Sequence, residues 1–488
     1  MIEYEDGSIS FEETDLKYFS EDSGDVNPLH MDRKYAETTV YGERVVFGML
    51  GIEVLLKKYQ IEKNYYDIKF YAPLFLGRKY YHRKEEKKGK VCLYIEENGN
   101  KLLSIKCNNK ESQTAELQNT TTNQLPMFKT ARNNTDEEIE KLSYEEGEYI
   151  YKSFPQKNNI CTQIKTNIVL KFCSYVVGMV FPGERAVFMG ATISVCEHEI
   201  FSQCMQYSLQ KTNYDNKFGI VEYTLFLKCQ NKTLAICTIQ AYVRANFKLD
   251  IQEGEKISCE FQGKTVLIIG GTKGIGAELA KKYALGGARV LLTYCHDEDK
   301  AEEVKKKIQK YNQNVKLYRG DMRDYADCKR IQMDLQKENE RIDRLFLCSA
   351  LPTKNMQFYP EGYRDFEKYL GQGVQIFYLP FYMLYPLVCE GGKVVVLSSS
   401  AVAQKKEASK MLDYICVKSI IESITECTAY TDKIKRDYYI IRPPKMLTEM
   451  NNTPIGRIGA AEPKKIAQEI IKKIKEDKTE KGCKILDF

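Results

Sequence analysis

Lys264-Thr265-Val266-Leu267-Ile268-Ile269-Gly270-Gly271-Thr272-Lys273-Gly274-Ile275-Gly276 runs from a largely apolar stretch into a glycine-rich turn, and Ala277 to Leu285 continues as an amphipathic helix. From here to the end the pattern alternates strand and helix, which predicts an α/β Rossmann-type, doubly wound parallel sheet. The glycines let the backbone approach a pyrophosphate, and the start of the helix offers N–H donors and a favourable dipole. Gly270, Thr272, Lys273, Gly274, Ile275 and Gly276 are therefore the candidate contacts of a dinucleotide.

Downstream, Val394-Val395-Val396-Leu397 ends in Ser398-Ser399-Ser400, and a helix then carries Tyr414-Ile415-Cys416-Val417-Lys418. Tyrosine and lysine four apart share one helical face, so the ammonium can lower the phenol's pKa and the phenol can hand a proton to a carbonyl oxygen. With the glycine turn and the serine strand, this pattern resembles the short-chain dehydrogenase/reductase family from Lys264 to about Gly456. The resemblance implies that Tyr414 is the acid, Lys418 its partner and Ser399 the serine that holds the substrate oxygen; the slightly long interval to the tyrosine leaves Ser400 as the alternative. It also implies that Asp321 meets the adenine and that the loop Arg442 to Met450, with Pro443 and Thr448, covers the nicotinamide. The strand Val290-Leu291-Leu292-Thr293-Tyr294 lacks the acid that would bind a bare ribose, and Lys273 stands where a 2′-phosphate could lie, so NADPH is the expected cofactor.

The family pattern is broken in two places. Cys348-Ser349-Ala350-Leu351 replaces Asn-Asn-Ala-Gly, and Gly373, beside Gln372, falls where a helix asparagine completes the proton relay. A relay through water or Gln372, or a silent fold that still binds nucleotide, is the alternative to a working reductase.

Near the amino end, Gly24-Asp25-Val26-Asn27-Pro28-Leu29-His30 places one of only four histidines five residues after an aspartate, across a rigid Asn-Pro turn. Such a pair suits proton transfer at a carbon beside a carbonyl. From Phe19 through this stretch to Ala36, the sequence resembles the MaoC-like family of R-specific enoyl-thioester hydratases and dehydratases. The resemblance implies a hot-dog fold, with Asp25 and His30 gripping the catalytic water, Asn27 bracing the loop, and the Gly48 N–H holding the thioester oxygen; core packing is the other reading of Gly48.

Phe47-Gly48-Met49-Leu50 is echoed by Val177-Gly178-Met179-Val180, and each half contains strand-like runs, such as Val91 to Ile95 and Thr233 to Val243. The expected architecture is thus an α+β double hot-dog: residues 1–107 as the catalytic half, 108–140 a polar connector, and 141–248 a non-catalytic half completing the sheet and lining an acyl tunnel. A linker at 249–262 leads to the reductase domain, 263–488. His198, in a strand-like run from Ile193 to Phe201, reads as structural.

A chain of 488 residues suggests two or three domains, and 43% hydrophobic with 29% charged residues is a globular balance. The acidic start and the lack of a spanning apolar run point to a cytoplasmic protein with no membrane segment. Sixteen cysteines with no Cys-x-x-Cys pair read as free thiols in a protein without structural zinc; no metal is expected. A net charge of +6 does not suggest nucleic-acid binding. The basic run Arg78 to Lys90, interrupted by glutamates, is first a solvated hairpin, and the Lys-rich end around Ile466 to Ile474 first an amphipathic helix.

The two chemistries combine into NADPH-dependent reduction of a 3-oxoacyl thioester, then dehydration to the 2-enoyl product, with the acyl group on carrier protein or coenzyme A. The alternatives are catabolic hydration followed by oxidation, and a dehydratase joined to a silent assembly module. Pairing as a homodimer or tetramer is implied by the reductase resemblance alone.

Overall fold

The computed structural model describes all residues except 88, 111–124, 154–161, 197–201, 231, 248, 250, 252–256, 355–361, 407–410 and 478–481. His198 lies outside the described residues. The chain divides into two compact units, the first comprising Met1–Glu37 and Glu43–Ala245, the second Thr38–Gly42 and Asn246–Phe488.

In the first unit, short strands β1 (Ile2–Glu3) and β2 (Ile9–Ser10) precede helices α1 (Glu13–Ser23), α2 (Pro28–Met31), α3 (Arg33–Glu37) and α4 (Gly48–Lys58). Strands β3 (Tyr65–Phe70), β4 (Tyr81–Lys87), β5 (Lys90–Glu97) and β6 (Asn100–Asn108) follow. After α5 (Asp136–Lys141) and β7 (Tyr144–Ile150) comes α6 (Thr162–Tyr175), which runs into a π-helical turn, Val176–Val180. Strands β8 (Ala186–Val195), β9 (Cys204–Asp215), β10 (Ile220–Cys229) and β11 (Lys232–Val243) complete the unit.

Nine of these strands form one antiparallel sheet in the order β4-β5-β6-β3-β8-β11-β10-β9-β7. Each half therefore repeats one plan: a helix, then four strands whose first pairs with its fourth, the halves meeting where β3 runs antiparallel to β8, Ile68 opposite Ala191. Alternation sets the buried face, with Val91, Leu93 and Ile95 of β5 turned inward. The same core takes Ile52, Leu55 and Leu56 of α4 and Leu170 and Phe172 of α6, and the two helices pack on each other. Each such fully buried aliphatic side chain stabilises the fold by roughly 1.5–3 kcal/mol.

The structure corrects several sequence expectations here. The glycine echo is not a structural equivalence, because Gly48 opens α4 whereas Gly178 sits in the turn that ends the second helix. The strand expected from Ile193 is the tail of β8, which ends at Val195. The end of the polar connector is docked: Asn134 is buried and donates to the Val180 and Pro182 carbonyls at 2.9 and 3.1 Å. The basic run is a hairpin, as expected, in which Arg83 pairs with Glu85 and Glu96.

The second unit begins inside the expected linker, since Leu249 and Phe261 are buried in its core. Its elements alternate: β12 (Thr265–Ile269), α7 (Gly274–Leu285), β13 (Arg289–Tyr294), α8 (Glu298–Gln309), β14 (Val315–Arg319), α9 (Tyr325–Lys337) and β15 (Ile342–Leu347). Then come α10 (Tyr363–Leu384), β16 (Val388–Leu397), α11 (Leu412–Thr431), β17 (Asp437–Arg442), α12 (Pro454–Arg457), α13 (Pro463–Glu476) and β18 (Cys483–Asp487). The seven-stranded parallel sheet has the order β14-β13-β12-β15-β16-β17-β18. Val266 and Ile268 of β12 face a core built with α7, α8 and α13, while Leu267 and Ile269 face another built with α9, α10 and α11. Strand order reverses between β12 and β15, the place where such sheets bind ligands at their carboxyl ends. Among the described residues no helix is long and apolar enough to cross a membrane, and the cysteines are free thiols.

Candidate active sites

Gly24, with φ 75°, ends α1 in a left-handed cap, and Asn27 starts α2 by accepting from the Leu29 N–H at 3.0 Å, with Pro28 at the first helical position. The Asn27 amide donates to the Gly178 and Gly183 carbonyls at 2.8 and 3.2 Å, which fixes the loop between the two ends. Asp25 is buried, accepting from the Ser174 hydroxyl at 2.8 Å and the Asn27 N–H at 3.0 Å. Burial pushes its pKa up to about 7 against the pull of those two hydrogen bonds.

His30 Nδ1 lies 2.6 Å from the Val45 carbonyl, and its ring sits 4.0 Å from that of Phe47. A carbonyl only accepts, so Nδ1 carries the proton and Nε2 the lone pair. Burial holds the imidazole down at about 4, the Val45 carbonyl opposing and the Arg244 charge adding to the effect. At neutral pH the loop thus presents a neutral imidazole and a carboxyl poised near its own pKa. The two point to different neighbours, Asp25 to α6 and its terminal turn, His30 to the segment before α4. Gly48 opens α4, whose start has no side-chain cap. A Cβ at Gly48 would meet Phe70 at 2.7 Å, so packing demands glycine there whatever its N–H does.

The second half was expected to line a tunnel without placing reactive groups. Instead, Ser174 and Gly178 both touch Asp25, and a Cβ on Gly178 would come within 2.5 Å of its Oδ1. A π-helical turn at this point is one way a helix re-aims its backbone at a site. These contacts were invisible in the sequence because 149 residues separate Asp25 from Ser174.

In the second unit the glycine turn bridges β12 and α7. Gly276 lies so close to the Gly270 carbonyl that a Cβ would stand 2.2 Å from it, and Thr448 comes to 3.1 Å from the equivalent point on Gly274. A cavity of ≈ 290 Å³ beside the turn is lined by Thr272, Lys273, Gly274, Lys300, Thr448 and Glu449 among others. Ile275 packs into the core behind the turn. Lys273 is paired at 2.7 Å with Asp297, three residues past the end of β13. Asp321 follows β14 and is gripped by Arg323, whose Nη2 lies 2.7 Å from Oδ2.

β16 delivers the three serines to the carboxyl edge of the sheet, and each does something different. Ser398 donates to buried Glu422, Ser399 accepts from the Ala401 N–H at 3.2 Å and acts on Tyr414, and the Ser400 N–H donates to the Pro443 carbonyl at 3.0 Å. Tyr414 is raised to about 12 by burial, with the Ser399 hydroxyl opposing. Lys418, one turn on, is lowered to about 8 by burial, with Cys348 and Glu422 opposing. Its ammonium donates to the Leu397 carbonyl at 2.7 Å and lies 5.5 Å from the centre of the Tyr414 ring. Cys348, in place of the expected asparagine, is itself raised to about 12 by burial, with the Lys418 charge opposing.

A Cβ at Gly373 would stand 2.6 Å from Val417 Cγ2, so α10 and α11 pack where a relay side chain would project. Reasoning from sequence also missed Glu422, which accepts from Arg442 Nε at 2.8 Å and Nη2 at 2.6 Å. The signal was there: Glu422 is one turn beyond Lys418 on the same helix face.

The sequence profile of the short chain dehydrogenase family matches residues 264–454. An uncharacterised oxidoreductase of Bacillus subtilis is 26% identical over 170 residues, 34% of this chain and 58% of its own length. A hydroxynaphthalene reductase of Aspergillus fumigatus is 27% identical over 169 residues, 34% of this chain and 60% of its own. The chain thus spans less than two thirds of these relatives. A short-chain dehydrogenase from Shigella flexneri, solved in complex with NADP, aligns with 47% of this chain and 98% of its own at 19% identity and a TM-score of 0.43. With the parallel sheet, the glycine turn and the Ser399, Tyr414 and Lys418 cluster in place, residues 264–454 constitute a short-chain dehydrogenase domain.

Proposed function

We propose that the protein processes the β-carbon of acyl thioesters in two steps, NADPH-dependent reduction of a 3-oxoacyl group in the second unit and dehydration of the 3-hydroxy product in the first. The observation that carries the reductive step is the buried Lys418 ammonium, held by the Leu397 carbonyl 5.5 Å from the centre of the Tyr414 ring, with Ser399 just past the end of the same strand. NADPH supplies the hydride when bound. Gly270, Thr272, Lys273, Gly274, Ile275 and Gly276 would hold its phosphates, Asp321 its adenine, and Pro443 and Thr448 its nicotinamide end. The tight Gly270–Gly276 approach and the acid-free β13 suit that cofactor. Ser399 orients the ketone oxygen, Tyr414 gives it a proton, and the Lys418 ammonium stabilises the phenolate left behind.

For the first unit, the repeated helix-and-four-strand plan supports a double hot-dog of the MaoC-like kind. Dehydration needs a base for the C2 proton and an acid for the departing hydroxyl. Neutral His30, with its lone pair on Nε2, suits the first role and protonated Asp25 the second, while Asn27 braces the loop and the Gly48 N–H faces the thioester oxygen. Both forms coexist between the two pKa values, about 4 and about 7, so dehydration is fastest in that window. The acyl group would arrive on carrier protein or coenzyme A, in the cytoplasm, to a homodimer or tetramer.

The test is to supply a 3-oxoacyl thioester and NADPH and follow cofactor oxidation and enoyl absorbance separately. Cofactor consumption without enoyl formation removes the dehydratase, and an unchanged cofactor with the 3-oxoacyl thioester, while added 3-hydroxyacyl thioester still gives the enoyl product, removes the reductase. The closed space at Gly373 favours one second reading, a nucleotide-binding unit without turnover. Cofactor binding without consumption would establish it.

A further inference from the structure

Arg244 stands directly after β11, with its side chain buried. Its Nη2 donates to the Tyr35 hydroxyl at 2.9 Å and the Glu184 carbonyl at 2.8 Å, and its Nε to the Arg185 carbonyl at 3.3 Å. All three acceptors are neutral, and among the described residues no carboxylate lies within ion-pair distance of this guanidinium. The neighbouring buried arginine shows the usual arrangement: Arg185 is paired with Asp136 at 2.7 Å. Neutral acceptors only partly compensate a buried cation, which favours an anionic partner. Nη1 makes no hydrogen bond of its own and still has donors to offer.

Its position gives that vacancy a use. The Glu184 carbonyl that accepts from Arg244 also accepts from the Asn27 amide at 3.4 Å and from Tyr35 at 3.4 Å, so the guanidinium is one oxygen atom away from the Asp25–His30 loop. Its charge also acts on His30. We propose that Arg244 receives an anionic group on the acyl chain itself, a carboxylate a few bonds from the thioester, which makes dicarboxylic acyl thioesters the preferred substrates of this site. The phosphate of a pantetheine arm fits less well, because a long chain of bonds separates it from the reacting carbons that His30 must reach. The N–H donors left on Nη1 can give a carboxylate oxygen a charge-assisted hydrogen bond, while the bonds from Nη2 and Nε hold the guanidinium in place. The proposal rests on the reading of the Asp25–His30 loop as a thioester site.

The experiment is calorimetric titration of the full-length protein with unreactive pantetheine thioethers whose tails end in a methyl or in a carboxylate. The expected result is a preference of about tenfold or more for the carboxylate tail. In Arg244→Gln that ratio falls to about one; in Arg244→Lys it is partly kept; in Asp25→Asn it persists, because recognition is separate from chemistry. Should Arg244→Gln fail to fold, Tyr35→Phe, which removes one of the three acceptors that orient the guanidinium, is expected to shrink the ratio several-fold. Equal binding of both tails by the unmodified protein, or a preference that survives Arg244→Gln, overturns the proposal and leaves the thioester reading standing. A preference that follows a 4′-phosphate on the probe rather than the tail also overturns it. Binding of neither probe sinks the thioester reading and the proposal together.

Discussion

Gly178 faces Asp25 with no room for a side chain: a Cβ there would stand 2.5 Å from Oδ1 and 2.7 Å from Oδ2. Asp25 belongs to one half of the first unit, and the backbone that confines its carboxyl belongs to the other. Gly178→Ala should therefore destabilise the unit by about 1–3 kcal/mol through overpacking. In an Asp25→Ala background the same change should cost much less. Denaturant midpoints for the two single variants and the double variant measure the coupling.

Asp25 and His30 impose opposite pH dependences on stability. Asp25 is raised from 3.8 to about 7, so the folded state holds its proton where the unfolded chain has lost it, and this contribution is lost as pH rises from about 4 to about 7. His30 is lowered from 6.5 to about 4, so its contribution is full above 6.5 and lost as pH falls towards 4. Between those limits the two largely cancel. Asp25→Asn should expose a stability that climbs with pH across the window, and His30→Gln one that falls; unfolding curves at pH steps across it decide.

In the reductase site, Tyr414→Phe should lower NADPH-dependent turnover by roughly 10²–10⁴-fold while leaving cofactor binding intact. Because Lys418 is lowered to about 8, its ammonium is present below that pH and lost above it. Turnover of the unmodified protein should fall as pH rises through about 8. Replacing Lys418 by methionine should remove that limb along with most of the rate.

Restoring the family's asparagine at Gly373 should not by itself improve the reductase. The new side chain would begin 2.6 Å from Val417 Cγ2, so Gly373→Asn is expected to lose about 1–3 kcal/mol of stability with no gain in rate. Adding Val417→Ala should recover the stability and raise the rate above that of the single variant. Thermal melts and NADPH consumption of both variants test the pair.

What the sequence made legible was local. The apolar strand, glycine turn and helix from Lys264 to Leu285 announce a parallel sheet with their own periodicities, and the four-residue interval from Tyr414 to Lys418 places both on one helix face. The Asp25 to His30 loop is equally short-range, its turn dictated by Asn27 and Pro28. Contacts that depend on how distant segments meet were not legible. Ser174 on Asp25, Arg244 on Tyr35 and Asp297 on Lys273 join residues far apart in the chain or across a turn of unpredictable course. The glycine echo misled for the same reason: short apolar words recur in any buried helix, and only the backbone shows that one copy starts a helix and the other ends one.

The seam between β3 and β8 has a further consequence. Because it joins two segments of a single polypeptide, a change in either half is never copied into its counterpart, as it would be in a pair of identical subunits. One half is therefore at liberty to keep the aspartate and histidine while the other holds the aspartate through Ser174 and Gly178, and neither can drift away by dissociating or by exchanging partners.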